Sequence, residues 1–338
     1  MKYLVLFFSL FVIPSLFTPK EITPVSLSTP VSKVLKDLGD EPITHQANLL
    51  LDGVSAEVGE QLFLTGFANN PNGKKVKKQS RHFVCTSCHN IKREDPNLAI
   101  ADPQARLEYA KENNLPFLQG TTMYGAVNRT SFYNGDYYKK YGKLVDKARN
   151  NIREAIQLCA VECAQGRRLK TWEVESILAY LWTLELTLED LQLSEKDHQK
   201  ISKAIDEGVK NEALISKIKS SYLAGSPATF IAPPTDRKIG TPNLKGNPEN
   251  GKLIYDLSCK HCHENERYSF FKLDDSPLSF EHLNKHIGAF SRYSIYQVTR
   301  WGTPPIPGKR AYMPQYTKER MSEQQLEDLR AYIALEAE

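Results

Sequence analysis

Apolar residues along this chain recur at helical spacing, and no two-residue alternation lasts long enough to predict a strand. Val58, Leu62 and Phe63 predict a helix over 55–67, closed by the breaker run Asn69-Asn70-Pro71-Asn72-Gly73. Val145, Ala148, Ile152, Ile156, Cys159 and Cys163 follow one another at steps of 3, 4, 4, 3 and 4. One face of a helix over 143–165 therefore carries all six, and Gly166 stands where that helix should end. Val174, Ile177, Leu178, Leu181, Leu184 and Leu188 predict the next helix, over 172–188. Further on, Asn247-Pro248 supplies an N-cap and a first-turn proline ahead of Leu253, Ile254 and Leu257. Ser322 and Gln325 predict a capping box for a last helix that turns Leu326, Leu329 and Ile333 inward. The expected fold class is all-α.

The segments between these helices carry weaker patterns. Residues 18–44 are rich in Pro, Ser and Thr, 105–114 suggest a short charged surface helix, 189–224 are charged and weakly amphipathic, and 226–242 form a Pro-rich extended connector. After Met1-Lys2 the residues from Tyr3 to Phe17 are almost wholly apolar, which fits an export signal and is too short to span a bilayer comfortably. No Ala-x-Ala site follows it, so an uncleaved anchor stays open as the alternative. The predicted organisation is a signal peptide at 1–20, a flexible segment at 21–49 and a helical domain at 50–190. A partly helical linker at 191–242 then leads to a second helical domain at 243–338.

Six cysteines, at 85, 88, 159, 163, 259 and 262, add chemistry to this frame. Four of them stand in Cys85-Thr86-Ser87-Cys88-His89 and Cys259-Lys260-His261-Cys262-His263, and two cysteines three apart with a histidine directly after them form the attachment signature of a c-type haem. The cofactors expected are two covalently held haem c groups, one per domain. The thiols would bond to the haem vinyl groups, and His89 and His263 would ligate the two irons. Covalent haem attachment belongs to exported proteins, so the signatures and the N-terminal signal both point to the periplasm.

The remaining iron ligands differ between the domains. Met313, followed by Pro314, lies about 50 residues after the second signature and just before the last helix, where class I cytochromes c place their thioether ligand. His282 and His286, one helical turn apart, compete with it. The first domain has no methionine before its last helix, since Met123 lies in the Gly- and Tyr-rich segment 121–142. That leaves the inward cysteines, Cys159 and Cys163, as thiolate candidates, with small buried hydrophobes as their other reading.

On these residues the chain resembles a known family, the dihaem thiosulfate dehydrogenases, which couple two thiosulfates into tetrathionate. In that family a helix reading roughly Arg-Ile-Asn-x-Cys-Phe-x-x-Ser-x-Asn-Gly carries the cysteine ligand of the catalytic haem, seven residues before the glycine. Here Ile156-Gln157-Leu158-Cys159-Ala160-Val161-Glu162-Cys163-Ala164-Gln165-Gly166 keeps that spacing, and Ile177-Leu178-Ala179-Tyr180-Leu181-Trp182 follows. The resemblance covers about 55–188 and 245–335. It implies two class I cytochrome c-like domains, catalysis at a haem held by His89 and Cys159, and electron exit through a haem held by His263 and Met313. Three departures stand out: Ala155 replaces the family's arginine, Cys163 replaces its serine, and Tyr312 precedes Met313 where some members carry an exchangeable lysine ligand. Lys309 would have to reach to take that role.

The net charge is only +4, from 44 basic and 40 acidic residues, which argues against a nucleic-acid partner. From Tyr124 to Lys170, however, ten basic residues oppose four acidic ones. A cationic field at this place suits an enzyme that must bring two dianions together. Arg129, Arg153 and Arg167 are the expected substrate residues, with Cys159 and Cys163 as the reacting sulfurs. The partners expected are thiosulfate or tetrathionate and a small soluble redox protein or a membrane-bound electron acceptor, with no stable span in the mature chain. Two alternatives remain: a non-catalytic dihaem electron carrier, and the cytochrome subunit of a multi-component sulfur-oxidation complex.

Overall fold

The structure, a computed structural model, describes residues 23–290, 293–303 and 313–338. The export signal expected at 1–20, Lys309 and Tyr312 lie outside the described residues. Among the described residues the fold is helical, with isolated bridges in place of strands, and no helix is long and apolar enough to cross a membrane.

Among the described residues, eleven α-helices of seven residues or more organise the fold: α1 (Val31–Asp37), α2 (Ala56–Thr65), α3 (Pro103–Glu112), α4 (Ile152–Leu158), α5 (Thr171–Trp182), α6 (Glu195–Glu207), α7 (Glu212–Ser220), α8 (Pro248–Ile254), α9 (Pro277–His286), α10 (Ile295–Trp301) and α11 (Glu323–Glu336). Several start where the sequence places a cap. Ser55 Oγ accepts from Val58 N at 3.2 Å at the start of α2, and Asn247 accepts from Glu249 N at 2.9 Å ahead of Pro248. At α11, Gln325 N donates to Ser322 Oγ at 3.1 Å while Ser322 N donates to Gln325 Oε1 at 2.9 Å, so the expected capping box forms.

The two halves repeat one packing device. A Cβ added to Gly59 of α2 would run into the Ser176 carbonyl of α5, and one added to Gly251 of α8 would run into the Asp328 carbonyl of α11. In each half a first helix therefore crosses a last helix backbone to backbone, an approach that only glycine permits.

Three expectations differ from what is seen. First, Val31, Val34, Leu35 and Leu38 of the supposedly flexible 21–49 segment are buried against Ile201, Leu214 and Ile218 of the supposed linker. Each of these short helices carries too little apolar surface to hold alone, and pooling them buries a third core. Second, the helix expected over 143–165 is broken into short pieces. Asn151 accepts from Arg153 N at 3.0 Å and starts α4 afresh, and Cys159–Cys163 then form one π turn, closed by Ala164 N donating to the Cys159 carbonyl at 2.8 Å. Third, α3 is more than a surface helix, because Arg106 and Leu107 are fully buried.

The halves are not separate bodies. Leu107 and Phe117 of the first half share a core with Ile254, Tyr255 and Leu326 of the second, and Phe117 N donates to the Leu257 carbonyl at 2.9 Å. The extended connector is stitched to both sides. Asn134 donates to the Ala228 carbonyl at 2.7 Å, and Thr229 Oγ1 donates to Glu319 at 2.6 Å.

Candidate functional site

Each Cys-x-x-Cys-His run opens onto its own cavity. The first, about 190 Å³, is lined by Cys85, Cys88 and His89 and, from elsewhere in the chain, by Cys159, Cys163 and Arg129. The second, about 340 Å³, is lined by Cys259, Cys262, His263 and Met313. Phe83, Gln119 and Pro314 line both, so the two cavities share a wall.

The histidines are set up alike. His89 Nδ1 donates to the Thr121 carbonyl at 2.7 Å and His263 Nδ1 to the Phe271 carbonyl at 2.7 Å. These bonds fix the tautomer and leave Nε2 as the available donor atom in each case. Burial lowers both pKa values, which favours the neutral imidazole that a metal requires. Burial also pushes the Cys85 and Cys262 thiols up to about 11 and Cys259 to about 12, keeping them protonated and apolar. Paired thiols, an oriented neutral imidazole and a largely apolar cavity are the donor set and the environment that a covalently attached haem needs, and here they fit twice.

The candidates for the remaining ligand positions fall as follows. Met313 and His282 both line the second cavity, whereas the His286 ring lies tilted against that of His282, 4.8 Å between centroids, and does not line the cavity. In the first cavity Met123 joins Cys159 and Cys163 on the wall. The two cysteines are free thiols in unlike surroundings. Tyr141 OH lies 3.4 Å and Tyr133 OH 3.9 Å from Cys163 Sγ. The neighbouring Cys159 thiol, the two tyrosine hydroxyls and Lys140 draw the Cys163 thiol down, while Cys163 and burial push that of Cys159 up.

The three candidate arginines separate cleanly. Arg153 clasps Glu175 through Nε at 2.6 Å and Nη2 at 2.8 Å, and Arg167 clasps Glu173 at 2.5 and 2.8 Å. Neither lines the cavity, and both hold α5, which carries the glutamates, against the adjoining segments. Arg129 does line the cavity. It donates to Ser226 Oγ and to the Thr122 carbonyl, each at 3.2 Å, and burial lowers its pKa to about 10, which leaves it charged at neutral pH.

Sequence reasoning missed Ser226 and Thr317, which line the same cavity from the connector and from the second half. The signal for Tyr133 and Tyr141 was present in the tyrosine-rich segment, but it did not name their target. No protein-family model matches the chain, and no curated protein or solved structure gives a match.

Proposed function

We propose that the chain is an exported dihaem c-type cytochrome that oxidises two thiosulfates to tetrathionate. The observation that carries this reading is the meeting, in one cavity, of Cys85, Cys88 and His89 with Cys159, Cys163 and Arg129. An attachment site alone suits any c-type cytochrome, whereas two further cysteines and a cation lining the same cavity suit sulfur-anion chemistry. The repeated close helix crossings at Gly59 and Gly251 support two cytochrome c-like domains.

His89 and His263, each oriented by a backbone carbonyl, would hold one haem apiece, with Met313 completing the second. Each haem, when bound, supplies a one-electron couple, and two match the two electrons that the reaction releases. Cys159 provides a sulfur for transient attachment. Its thiolate and one thiosulfate join through an S–S bond and lose two electrons, giving a cysteinyl S-sulfonate persulfide. A second thiosulfate then attacks the sulfane sulfur, so tetrathionate leaves and the thiolate returns. Arg129 offsets the repulsion between the dianions. The wall of Phe83, Gln119 and Pro314 keeps the two sites adjacent, and an external redox protein would take the electrons.

The test is to purify the haem-loaded protein, count c-type haems per chain, and assay thiosulfate with ferricyanide and tetrathionate with a reduced dye, alongside Cys159→Gly. Two haems with thiosulfate turnover lost in Cys159→Gly are expected. Two haems with no turnover in either direction would leave an electron carrier, a reading that the shared wall also favours.

A further inference from the structure

Arg129 is half-buried on the wall of the first cavity, where its side chain donates to Ser226 Oγ and to the Thr122 carbonyl and forms no ion pair with a carboxylate among the described residues. Glu94 and Asp95 act on this guanidinium from nearby without pairing with it, so donors on the cavity side stay available to an anion. A second, independent feature lies on the same cavity wall. Thr317 is 3% exposed and its Oγ1 has no hydrogen-bond partner, although buried hydroxyls are normally satisfied. Ser226 lines the same cavity, and by accepting from Arg129 it keeps its own hydroxyl proton free to donate.

We propose that Arg129, Ser226 and Thr317 form a recognition site for the sulfonate end of a sulfur oxyanion, leaving the cavity that holds Cys159 and Cys163 to its terminal sulfur. The choice of a sulfur oxyanion rests on the thiosulfate reading above. The three donors come from separate places: Arg129 follows the first Cys-x-x-Cys-His run, Ser226 lies on the connector, and Thr317 stands just before α11. The site is therefore complete only when both halves and the connector are docked.

The haem-loaded full-length protein should be titrated by calorimetry with sulfate, a tetrahedral dianion that is not oxidised, against chloride at equal ionic strength. Thiosulfate kinetics are run on the same samples with Arg129→Lys, Arg129→Gln, Thr317→Val and, as a control, Arg168→Gln, whose side chain is exposed. Arg129→Gln should weaken sulfate binding and raise the thiosulfate KM by roughly ten- to hundredfold, and Thr317→Val by roughly three- to tenfold. Arg129→Lys should fall between, kcat should change less than KM, and Arg168→Gln should match the wild type. If Arg129→Gln does not fold, Thr317→Val and Arg129→Lys carry the test. Arg129-dependent sulfate binding without thiosulfate turnover would keep the anion site and sink the thiosulfate reading. Normal turnover with sulfate binding and KM unmoved by these variants would do the reverse. A wild type that neither binds sulfate nor turns over thiosulfate overturns both.

Discussion

Glu94 and Arg320 meet in the interior at 2.7 Å, one from each half of the chain, with Arg106 at 3.8 Å on the other carboxylate oxygen. Glu94 also accepts from Asn90 Nδ2 and from Thr122 N, each at 2.8 Å. Thr122 directly follows Thr121, whose carbonyl holds the His89 ring. One buried carboxylate therefore ties the second half of the chain to the segment that orients the first histidine.

Replacing Glu94 by Gln keeps its shape and removes its charge, leaving two buried guanidiniums facing each other. Breaking such a cluster on one side costs about 3–5 kcal/mol. Urea denaturation of the haem-loaded variant should show a loss of that size, and a loss under about 1 kcal/mol would mean that the cluster is not holding the halves together.

The same group sets an acid dependence. Burial pushes the Glu94 pKa up, but the Arg320 and Arg106 guanidiniums outweigh it and hold the carboxyl at about 2, below its ordinary 4.5. A depressed carboxylate stabilises the fold fully above its unfolded value, and that stability is lost as pH falls from there through its folded value. The wild-type urea midpoint should therefore drop between about pH 4.5 and pH 2, and Glu94→Gln should show a shallower drop in that window.

Arg153 and Arg167 are expected to act on stability and not on substrate. Glu175 and Glu173 are 6% and 0% exposed at their side chains, so losing either arginine strands a buried carboxylate. The arginines themselves are 32% and 24% exposed, and screening by solvent keeps the cost low, at about 1–2 kcal/mol. Arg153→Gln and Arg167→Gln should each lower Tm while the thiosulfate KM stays within about twofold of wild type. A large KM effect would return these residues to the substrate site.

The partners of these two arginines were not legible in the sequence. Local charge counts cannot separate a paired cation from a free one, and both glutamates lie on α5, outside the most basic part of the segment. Helices α2, α5, α8 and α11 were legible because periodicity and caps agree there, and the two Cys-x-x-Cys-His runs because a short fixed spacing is read directly from the sequence. The packing of α1 with α6 and α7 was not, since each stripe is too short to read alone. Nor could any local pattern show that Arg106 is buried, because its neighbours Glu94 and Arg320 come from other parts of the chain. Ser226 and Thr317 reach the first cavity through tertiary contact only.

Cys159 and Cys163 offer the sharpest separation. The family resemblance implies Cys159 as the iron ligand, whereas the tyrosine hydroxyls beside Cys163 favour charge on that sulfur. If Cys159 is the ligand, Cys159→Met should abolish the thiolate signature of the first haem in optical and EPR spectra. It should also raise that haem's midpoint potential, on the order of 100 mV or more, because a thioether favours reduced iron where a thiolate favours oxidised iron. Cys163→Ser should then keep the signature, since a hydroxyl can still bond to Tyr141 and Tyr133 in place of the thiol. Should the signature vanish in Cys163→Ser and persist in Cys159→Met, the ligand is Cys163, and the π turn from Cys159 to Cys163 would be the feature that presents it.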